Sequence, residues 1–309
     1  MTPLVGLLGA LSGLTLYYLG AWFTGASRAR TVPSIPPEAK PGGAPSATHL
    51  GVGFVTNFFD TLGIGSFAPT TAIFKFFKMV PDRLIPGTLN VGHTLGAITQ
   101  TFIYTAVIDV DPMTLILMIL AAVTGAWLGA GVVARWPKRK VQLGMGSALL
   151  VAAVLFAWRN LVEAGMLSGG NATLVTGGAG AGTLDLQGWR LAAGLAGNFA
   201  LGALMTLGIG LYAPCMILVG LLGMNAKAAF PIMMGSCAFL MPLASARFIR
   251  EHAYAVRPAL GLAIGAIPGV LIAAYIVTEM DIYYVRWLVV GVVIIAATMM
   301  LRSALTERD

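Results

Sequence analysis

Charged residues are scarce in this 309-residue chain. Asp, Glu, Lys and Arg together make up 10% of it, whereas a soluble domain carries about a quarter. Hydrophobic residues reach 58%, and the mean hydropathy is +0.85. So little polar surface excludes a globular protein that faces water on all sides, because the apolar remainder needs lipid as its solvent. The composition therefore predicts an all-α polytopic membrane protein with short loops and no separate soluble domain.

Cysteine is nearly absent as well. The two cysteines, Cys215 and Cys237, lie within apolar stretches, which favours small buried side chains over a disulfide framework. A Walker phosphate-binding motif is missing, which argues against direct use of ATP. The formal net charge of +7 does not indicate nucleic acid as a partner, because the Lys and Arg residues sit between apolar runs, where membrane topology places them. The sequence indicates neither a cofactor nor a metal site.

The first apolar run extends from Pro3 to Phe23. No Lys or Arg precedes it, whereas Arg28 and Arg30 follow it. A cleaved signal peptide has the opposite charge order, so the run is interpreted as a retained transmembrane helix with its N-terminus outside. The Pro-rich stretch 31–46 is then a cytoplasmic linker, and residues 1–48 form one N-terminal segment.

A nine-residue motif occurs twice. Residues 61–69 read T-L-G-I-G-S-F-A-P, and residues 206–214 read T-L-G-I-G-L-Y-A-P, 145 residues later. The same offset aligns three further pairs of identical residues: Met79 with Met224, Pro86 with Pro231, and Gly146 with Gly291. One offset that aligns several separate positions indicates an internal duplication.

Each repeat begins with the motif-bearing element, and three apolar runs follow it. Repeat one covers 49–158, repeat two covers 190–309, and residues 159–189 are a Gly-rich external connector. The apolar runs are predicted as transmembrane helices at 83–108, 112–134, 140–158, 227–249, 256–277 and 283–303.

The motif-bearing elements are predicted to enter the membrane and turn back. A helix does not continue undisturbed through Gly-Ile-Gly and on to Pro, and broken backbone persists in lipid only where protein or a cavity surrounds it. If both elements are re-entrant hairpins, the 19 Lys and Arg residues divide 15 to 4 between the two sides. If both elements cross, the division is 9 to 10. Three crossing helices per repeat make the repeats inverted, so the two hairpin tips are expected to meet near the membrane midplane.

The chemistry of the tips favours an anion. Pro69 and Pro214 suit the first turn of a helix, whose free N–H groups and positive dipole end then point towards the membrane centre. The glycines allow a ligand to approach the backbone closely. The candidate substrate-binding residues are Thr61, Gly63, Gly65, Ser66, Pro69, Thr70, Asn90, Thr206, Gly208, Gly210, Pro214, Cys215 and Ser236. The alternative is that these glycines serve only close helix packing.

Repeat one is the more polar of the two copies. At the offset of 145, Asn57, Asp60, Asn90 and His93 correspond to Gly202, Met205, Gly235 and Ala238. An ionisable residue within a membrane is by default a functional hypothesis, so Asp60, His93 and Asn57 are the candidates for coupling to a proton or a cation. The alternatives are a structural hydrogen bond for Asp60 and a packing role for His93.

Both motif copies resemble the sulfite exporter TauE/SafE family, also called the toluene-sulfonate uptake permeases. In that family each duplicated half opens with an L-G-I-G-G-G-like stretch followed by a proline. The resemblance covers about residues 49–158 and 190–303, and Ser66 and Leu211 stand where that family has a third glycine. It implies transport of sulfite, sulfonates or related organosulfur anions, often outward.

The expected function is therefore a secondary transporter, and not an enzyme, for a small organosulfur or sulfur oxyanion. It would lie in the cell membrane with its C-terminus in the cytoplasm. Two alternatives remain open. One is a membrane thiol-disulfide oxidoreductase that uses Cys215 and Cys237, and the other is a passive anion channel.

Overall fold

The computed structural model describes residues 3–31, 40, 42–133, 137–163, 182–205 and 211–306. In these residues the chain forms eleven α-helices, two 3-10 turns and one isolated bridge. The helices are α1 (Pro3–Thr31), α2 (Ala47–Thr61), α3 (Phe67–Phe76), α4 (Ile85–Val107), α5 (Pro112–Val133), α6 (Lys138–Glu163), α7 (Gly188–Met205), α8 (Tyr212–Leu221), α9 (Ala229–Arg250), α10 (Val256–Glu279) and α11 (Ile282–Thr306).

Six of the described helices are long and apolar enough to cross a membrane: α1, α5, α6, α9, α10 and α11. This agrees with the predicted class, an all-helical multi-pass membrane protein. The sequence predicts that α4 crosses too, but α4 is not among the six although it has 23 residues. Its Thr, His and Gln side chains lower its hydropathy, and most of them are buried within the protein. A helix that faces protein more than lipid does not need an apolar surface all round.

The helix bounds follow the predicted runs closely, with one difference at the connector. The helix α6 continues through Glu163 and so includes the first five residues of the connector predicted at 159–189. The next helix, α7, begins at Gly188. Residues 164–181, which hold most of the Gly-rich connector, lie outside the described residues.

The helices α2 and α3 form an antiparallel pair, named hairpin 1 here. Val52 near the start of α2 and Phe74 near the end of α3 lie in one buried cluster. Leu84 and Leu89, at the start of α4, belong to the same cluster. The first arm has 15 residues and the second has 10. The chain therefore doubles back at the motif, as the glycines and the proline predict.

The helices α7 and α8 form a second antiparallel pair, named hairpin 2 here. A Cβ atom added at Gly194, near the start of α7, would lie 3.1 Å from Leu222, which follows α8. A Cβ atom at Gly197, further along α7, would lie 2.8 Å from Leu218 within α8. Later residues of α7 thus face earlier residues of α8. The turn between these two helices, residues 206–210, lies outside the described residues.

The second arms of the two hairpins match in their backbone geometry. The bounds of α3 and α8 differ by 145 residues at both ends. In the turn that follows each arm, Met79 N–H donates to Phe74 O over 2.9 Å, and Met224 N–H donates to Val219 O over 3.2 Å. Both turns contain one residue with positive φ, which is Lys78 (51°) in one and Gly223 (84°) in the other.

After these turns the offset falls to 144. Leu84 N–H donates to Pro81 O, and Ala228 N–H donates to Asn225 O, so the second copy is one residue shorter at this point. The helices α4 and α9 likewise begin 144 residues apart. The constant offset of 145 pairs His93 with Ala238, whereas the backbone pairs it with Cys237.

Contacts divide the chain into two units. The first comprises Met1–Thr61, Gly65–Ile103 and Cys237–Tyr275, and the second comprises Leu62–Ile64, Tyr104–Ser236 and Ile276–Asp309. Each unit combines a hairpin from one repeat with a helix from the other repeat. Hairpin 1 packs against α10 in the first unit, and hairpin 2 packs against α5 in the second.

Glycines allow the backbones to approach closely in both of these contacts. In the first unit, a Cβ atom at Gly53 of α2 would lie 2.6 Å from Leu262 O of α10, and one at Gly265 of α10 would overlap Leu50 O. In the second unit, a Cβ atom at Gly125 of α5 would overlap Phe199 O of α7. Small residues at helix contacts are the usual basis of tight packing in membranes, where the hydrophobic effect does not drive helices together.

We expect the substitution Gly265→Ala to destabilise the first unit by about 2 kcal/mol. The added methyl group would meet the backbone carbonyl of Leu50, which cannot rotate away as a flexible side chain can. Thermal unfolding of the detergent-solubilised protein measures the effect as a lower Tm. Gly291→Ala in α11 is the matched control, because a Cβ atom there meets nothing within 4 Å. Equal Tm values for the two variants would contradict the packing argument.

The N-terminal helix α1 is an integral part of the first unit. Tyr18 Oη donates a hydrogen bond to Val91 O of α4 over 2.7 Å, and the tyrosine ring lies 5.5 Å from the ring of Trp22. Both aromatic residues belong to one buried cluster with Ile249 of α9 and Ala259 of α10. The helix α1 therefore supports α4, the helix that carries His93.

Candidate functional site

The motif turn of hairpin 1 requires glycine at two positions. Gly63 has φ of +97° and Gly65 has φ of +90°, which residues with a side chain adopt only under strain. Ser66 precedes α3, is 4% exposed, and makes no capping bond through its side chain. Pro69 is the third residue of α3, so its missing N–H group falls in the first turn as predicted. The first N–H groups of α3 thus form the positive end of a helix.

The tip of hairpin 1 contacts α8 within the second unit. Gly63 belongs to that unit, and a Cβ atom added to it would overlap the methyl group of Met216. The same Cβ atom would lie 3.5 Å from a methyl carbon of Val292 in α11. Met216 follows directly after Pro214 and Cys215, two of the candidate substrate-binding residues. Gly63 therefore lies beside the beginning of the second arm of hairpin 2.

The imidazole of His93 joins both arms of hairpin 1. Its Nδ1 atom lies 2.9 Å from Asn57 Nδ2 in α2, and its Nε2 atom lies 3.0 Å from Thr70 Oγ1 in α3. The ring of Phe67 lies 5.8 Å from the imidazole. His93 is 1% exposed, and Asn57 and Thr70 are fully buried. Three residues that the sequence predicts from separate segments thus meet at one point.

Asp60 is held by a residue of α4 that the sequence did not single out. Gln100 Nε2 donates to Asp60 Oδ2 over 2.9 Å and to Thr61 Oγ1 over 2.9 Å. Asp60 is 4% exposed. Asp60 thus makes a structural hydrogen bond, the alternative considered for it, with the side-chain amide of Gln100. Asp60 and His93 are both buried in the first unit, and no direct hydrogen bond between them is seen in the described residues.

The two contacts on α4 belong to one network. His93 and Gln100 are seven residues apart, which is about two helical turns, so they lie on the same face of α4. Thr61 Oγ1 accepts from Gln100 and donates to Asn57 O over 2.7 Å, and Asn57 contacts His93 through its side chain. The network therefore runs from Asp60 to Thr70 and fixes the end of α2 and the start of α3 against one helix.

Two of the predicted hydroxyl donors are already engaged. Thr61 donates to Asn57 O and Thr70 donates to Ser66 O, each over 2.7 Å and each to a carbonyl four residues earlier. Such bonds are common for Ser and Thr in helices. A ligand at this turn would therefore take its hydrogen bonds from backbone N–H groups and from Ser66 more than from these threonines.

Asn90 does not join the network. The sequence places it on the His93 face of α4, but it is only half-buried, and its side chain makes no hydrogen bond to the His93 network in the part of the chain that the structure describes. Its backbone carbonyl accepts from Thr94 Oγ1 over 2.6 Å.

In the second repeat only part of the predicted site is described. Thr206, Gly208 and Gly210 lie outside the described residues. Pro214 is the third residue of α8, as Pro69 is of α3. Cys215 occupies the position that corresponds to Thr70 and is fully buried.

Ser236 meets a second buried amide that the sequence did not single out. Asn198 Nδ2 of α7 donates to Ser236 Oγ over 3.2 Å and to Met118 O of α5 over 2.7 Å. Ser236 Oγ in turn donates to Ile232 O over 2.8 Å. This cluster joins hairpin 2 to α5 and α9 within the second unit.

Gln100 and Asn198 were missed for a definable reason. The comparison of the repeats singled out positions where repeat one is polar and repeat two is not. At the offset of 145, Gln100 corresponds to Ser245, which is also polar. Asn198 corresponds to Gly53, so at this position repeat two, and not repeat one, carries the polar residue. The seven-residue spacing between His93 and Gln100 was the signal in the sequence that could have identified the latter.

The two cysteines are both buried, and neither forms a disulfide bond in the described part of the chain. No group of three or more His, Cys, Asp or Glu side chains arranged to hold a metal ion occurs in the part of the chain that the structure describes. Comparison with known protein families, with curated proteins and with solved structures gives no significant match to this chain.

Proposed function

We propose that the protein is a secondary transporter that binds a small oxyanion at its two motif turns and couples its movement to a proton or a cation. The observation that carries the proposal is the turn of hairpin 1. There, two glycines with positive φ precede the free N-terminus of α3, and a buried polar network lies directly beside it. Helix N-termini of this kind bind anions through backbone N–H groups and the helix dipole.

In this proposal both hairpins are re-entrant. The arms of hairpin 1 have 15 and 10 residues, about 22 Å and 15 Å as helices, whereas the hydrocarbon core is about 30 Å thick. Neither arm of hairpin 1 is long enough to cross. The division of the Lys and Arg residues, 15 to 4, supports the same arrangement. With an odd number of crossing helices in each copy, the two copies are inverted relative to each other.

Coupling follows from the charge of Asp60. Its carboxyl group lies one residue before Thr61, close to the turn where the anion is proposed to bind, and in this proposal it is ionised before the anion binds. Two like charges in a medium of low dielectric constant repel each other strongly, so anion binding favours a neutralised Asp60. A proton or a small cation at Asp60 would therefore accompany the substrate.

The substrate class rests on the resemblance to the TauE/SafE family. Both motif copies carry the first two glycines and the proline of the pattern in that family, which transports sulfite, sulfonates and related anions. Sulfonates and the fully deprotonated form of sulfite present several acceptor oxygens and no hydrogen-bond donor, which suits the N–H donors of a helix N-terminus. We therefore propose a sulfur oxyanion or an organosulfur anion as the substrate, with export as the physiological direction.

The test is uptake and counterflow in proteoliposomes with sulfite, an alkyl sulfonate, sulfate and acetate as substrates. We expect saturable counterflow of sulfite or of the sulfonate, and accumulation that depends on an imposed proton or cation gradient. The variant with Cys215→Ser and Cys237→Ser should retain this transport, because a serine hydroxyl can donate a hydrogen bond to an anion as a thiol can, and the proposed transport needs no thiol redox chemistry. Non-saturating conduction would indicate a channel, and loss of all activity in a folded double variant would favour the thiol hypothesis. No counterflow of any of the four anions would overturn the proposal.

A further inference from the structure

We infer that His93 is a positioning residue that holds both arms of hairpin 1 as a neutral imidazole, and that it does not carry the coupling proton. This deepens the proposed function and rests on it, because it leaves Asp60 as the residue that takes up the proton or the cation. The inference starts from the hydrogen bonds around the ring.

The Asn57 side chain determines which ring nitrogen carries the proton. Its amide nitrogen has two hydrogens, and one of them is donated to Gly53 O over 2.7 Å. The other points to His93 Nδ1 at 2.9 Å, so Nδ1 must be an acceptor without a proton. In the neutral ring the proton is then on Nε2, which donates to Thr70 Oγ1. The hydroxyl of Thr70 donates its own proton to Ser66 O. Every donor in this series has one acceptor.

The opposite orientation of the Asn57 amide is unfavourable. It would place Oδ1 against Gly53 O at the distance of a hydrogen bond, with two acceptors facing each other and no proton between them. In the orientation observed, Oδ1 is buried without a partner and lies against Gly96, where any side chain would overlap it. The absence of a side chain at Gly96 therefore makes room for the amide orientation that keeps Nδ1 unprotonated.

Protonation of His93 would break this arrangement. A second proton on Nδ1 would face the N–H group of Asn57, so two donors would oppose each other until the Asn57 side chain left Gly53 O. The neutral ring therefore matches the hydrogen bonds that surround it, and the charged ring does not.

No charged group in contact with the ring compensates for that loss among the described residues. The groups that face the imidazole from the other elements are Asn57 of α2 and Phe67 and Thr70 of α3, and none of them is charged. The nearest carboxylate in the network is that of Asp60, which is bound about two turns further along α4. The contacts of the ring therefore do not stabilise an imidazolium.

The hydrogen bonds also explain why a histidine is suited to this position. A neutral imidazole offers one acceptor and one donor about opposite each other, and here the acceptor serves one arm of the hairpin and the donor serves the other. A glutamine side chain has the same pair of groups, an oxygen that accepts and an N–H that donates, but it does not titrate. His93→Gln therefore separates positioning from proton transfer, and His93→Ala removes both.

Solid-state NMR of the protein in lipid, labelled with ¹⁵N in the histidine rings, tests the inference without any transport measurement. The chain has three histidines, and the resonances absent from His93→Gln identify those of His93. We expect His93 to remain neutral with the proton on Nε2 from about pH 5 to pH 8, a range in which an unperturbed histidine changes charge. Asn57→Asp, which offers an acceptor to Nδ1, should move the ring to an Nδ1-protonated form. Titration of His93 to an imidazolium in the unmodified protein would overturn the inference.

Transport measurements provide the second test. His93→Gln should keep the ratio of protons or cations to substrate, although its transport rate falls. His93→Ala should lower the transport rate at least about tenfold, because two buried hydrogen-bonding partners are left unpaired. If His93→Gln changes the coupling ratio, His93 carries the ion and the inference fails. If no anion is transported at all, the proposed function fails, and the NMR result still decides the state of His93.

Discussion

Replacing Asp60 with asparagine is expected to abolish gradient-driven accumulation of the substrate while leaving substrate exchange intact. The asparagine side chain has nearly the same shape as the aspartate, and its amide oxygen can still accept from Gln100 Nε2, so hairpin 1 should keep its position on α4. What is lost is the negative charge. Without a charge, this position neither takes up a proton nor attracts a cation, and it no longer repels a bound anion. A gradient of the coupling ion should then have no effect on the final distribution of the substrate.

The measurement compares two assays on the same proteoliposomes. Counterflow reports binding and exchange, and we expect it to persist or to increase in Asp60→Asn. Accumulation under an imposed gradient reports coupling, and we expect it to fall to the equilibrium level. Asp82→Asn is the matched control, because Asp82 is an exposed carboxylate on the turn before α4. Full accumulation by the Asp60→Asn protein would show that the coupling ion binds elsewhere.

The second large effect is expected at the glycines of the motif turn. Gly63→Ala and Gly65→Ala both force a residue with a Cβ atom into positive φ, at +97° and +90°, which costs about 1 to 3 kcal/mol at each site. The two positions differ in their surroundings. A Cβ atom at Gly63 overlaps the methyl group of Met216, whereas one at Gly65 meets no described atom within 4 Å. Met216 is 2% exposed and so has little space into which its methyl group can move, and Gly63→Ala should therefore lower the Tm more than Gly65→Ala does.

A double variant separates strain from overlap at Gly63. Met216→Ala removes the group that the new methyl meets. The double variant with Gly63→Ala and Met216→Ala should therefore lose less stability than the sum of the two single losses. The strain of positive φ would remain. Strictly additive losses would show that the contact between Gly63 and Met216 does not contribute. For Gly65→Ala, we expect weaker substrate binding with a smaller loss of Tm, measured as a higher half-saturation concentration in counterflow.

Much of the fold could be predicted from the sequence because the signals are local or periodic. The break at Gly63 and Gly65 and the first-turn position of Pro69 follow from the backbone chemistry of single residues. The long apolar runs follow from the thickness of a bilayer, and the helix bounds of α3 and α8 repeat at the offset that the motif copies define. The one-residue shift to an offset of 144 was not visible, because the identical pair Pro86 and Pro231 still fits the offset of 145.

The site was predictable only as a set of residue types. The sequence by itself determined that repeat one carries Asn57 and Asp60 just before the motif glycines and His93 within the next apolar run, because polar and ionisable residues within apolar runs stand out at once. It did not determine which of them touch. His93 is 36 residues from Asn57 and 23 from Thr70, so their hydrogen bonds exist only after α4 has packed against both arms of hairpin 1. The contact of Gln100 with Asp60 and the burial of Asp60 depend on the same packing.

The tertiary structure therefore decided which hydrogen bonds these residues form. A histidine in an apolar run can be a proton carrier or a packing residue, and its sequence neighbours do not distinguish the two roles. The orientation of the Asn57 amide distinguishes the two roles, because one of its hydrogens is donated to Gly53 O and the other points to His93 Nδ1. Hydrogen bonds are directional and short in range, so their pattern depends on the relative placement of three helices, and no local property of the sequence specifies that placement.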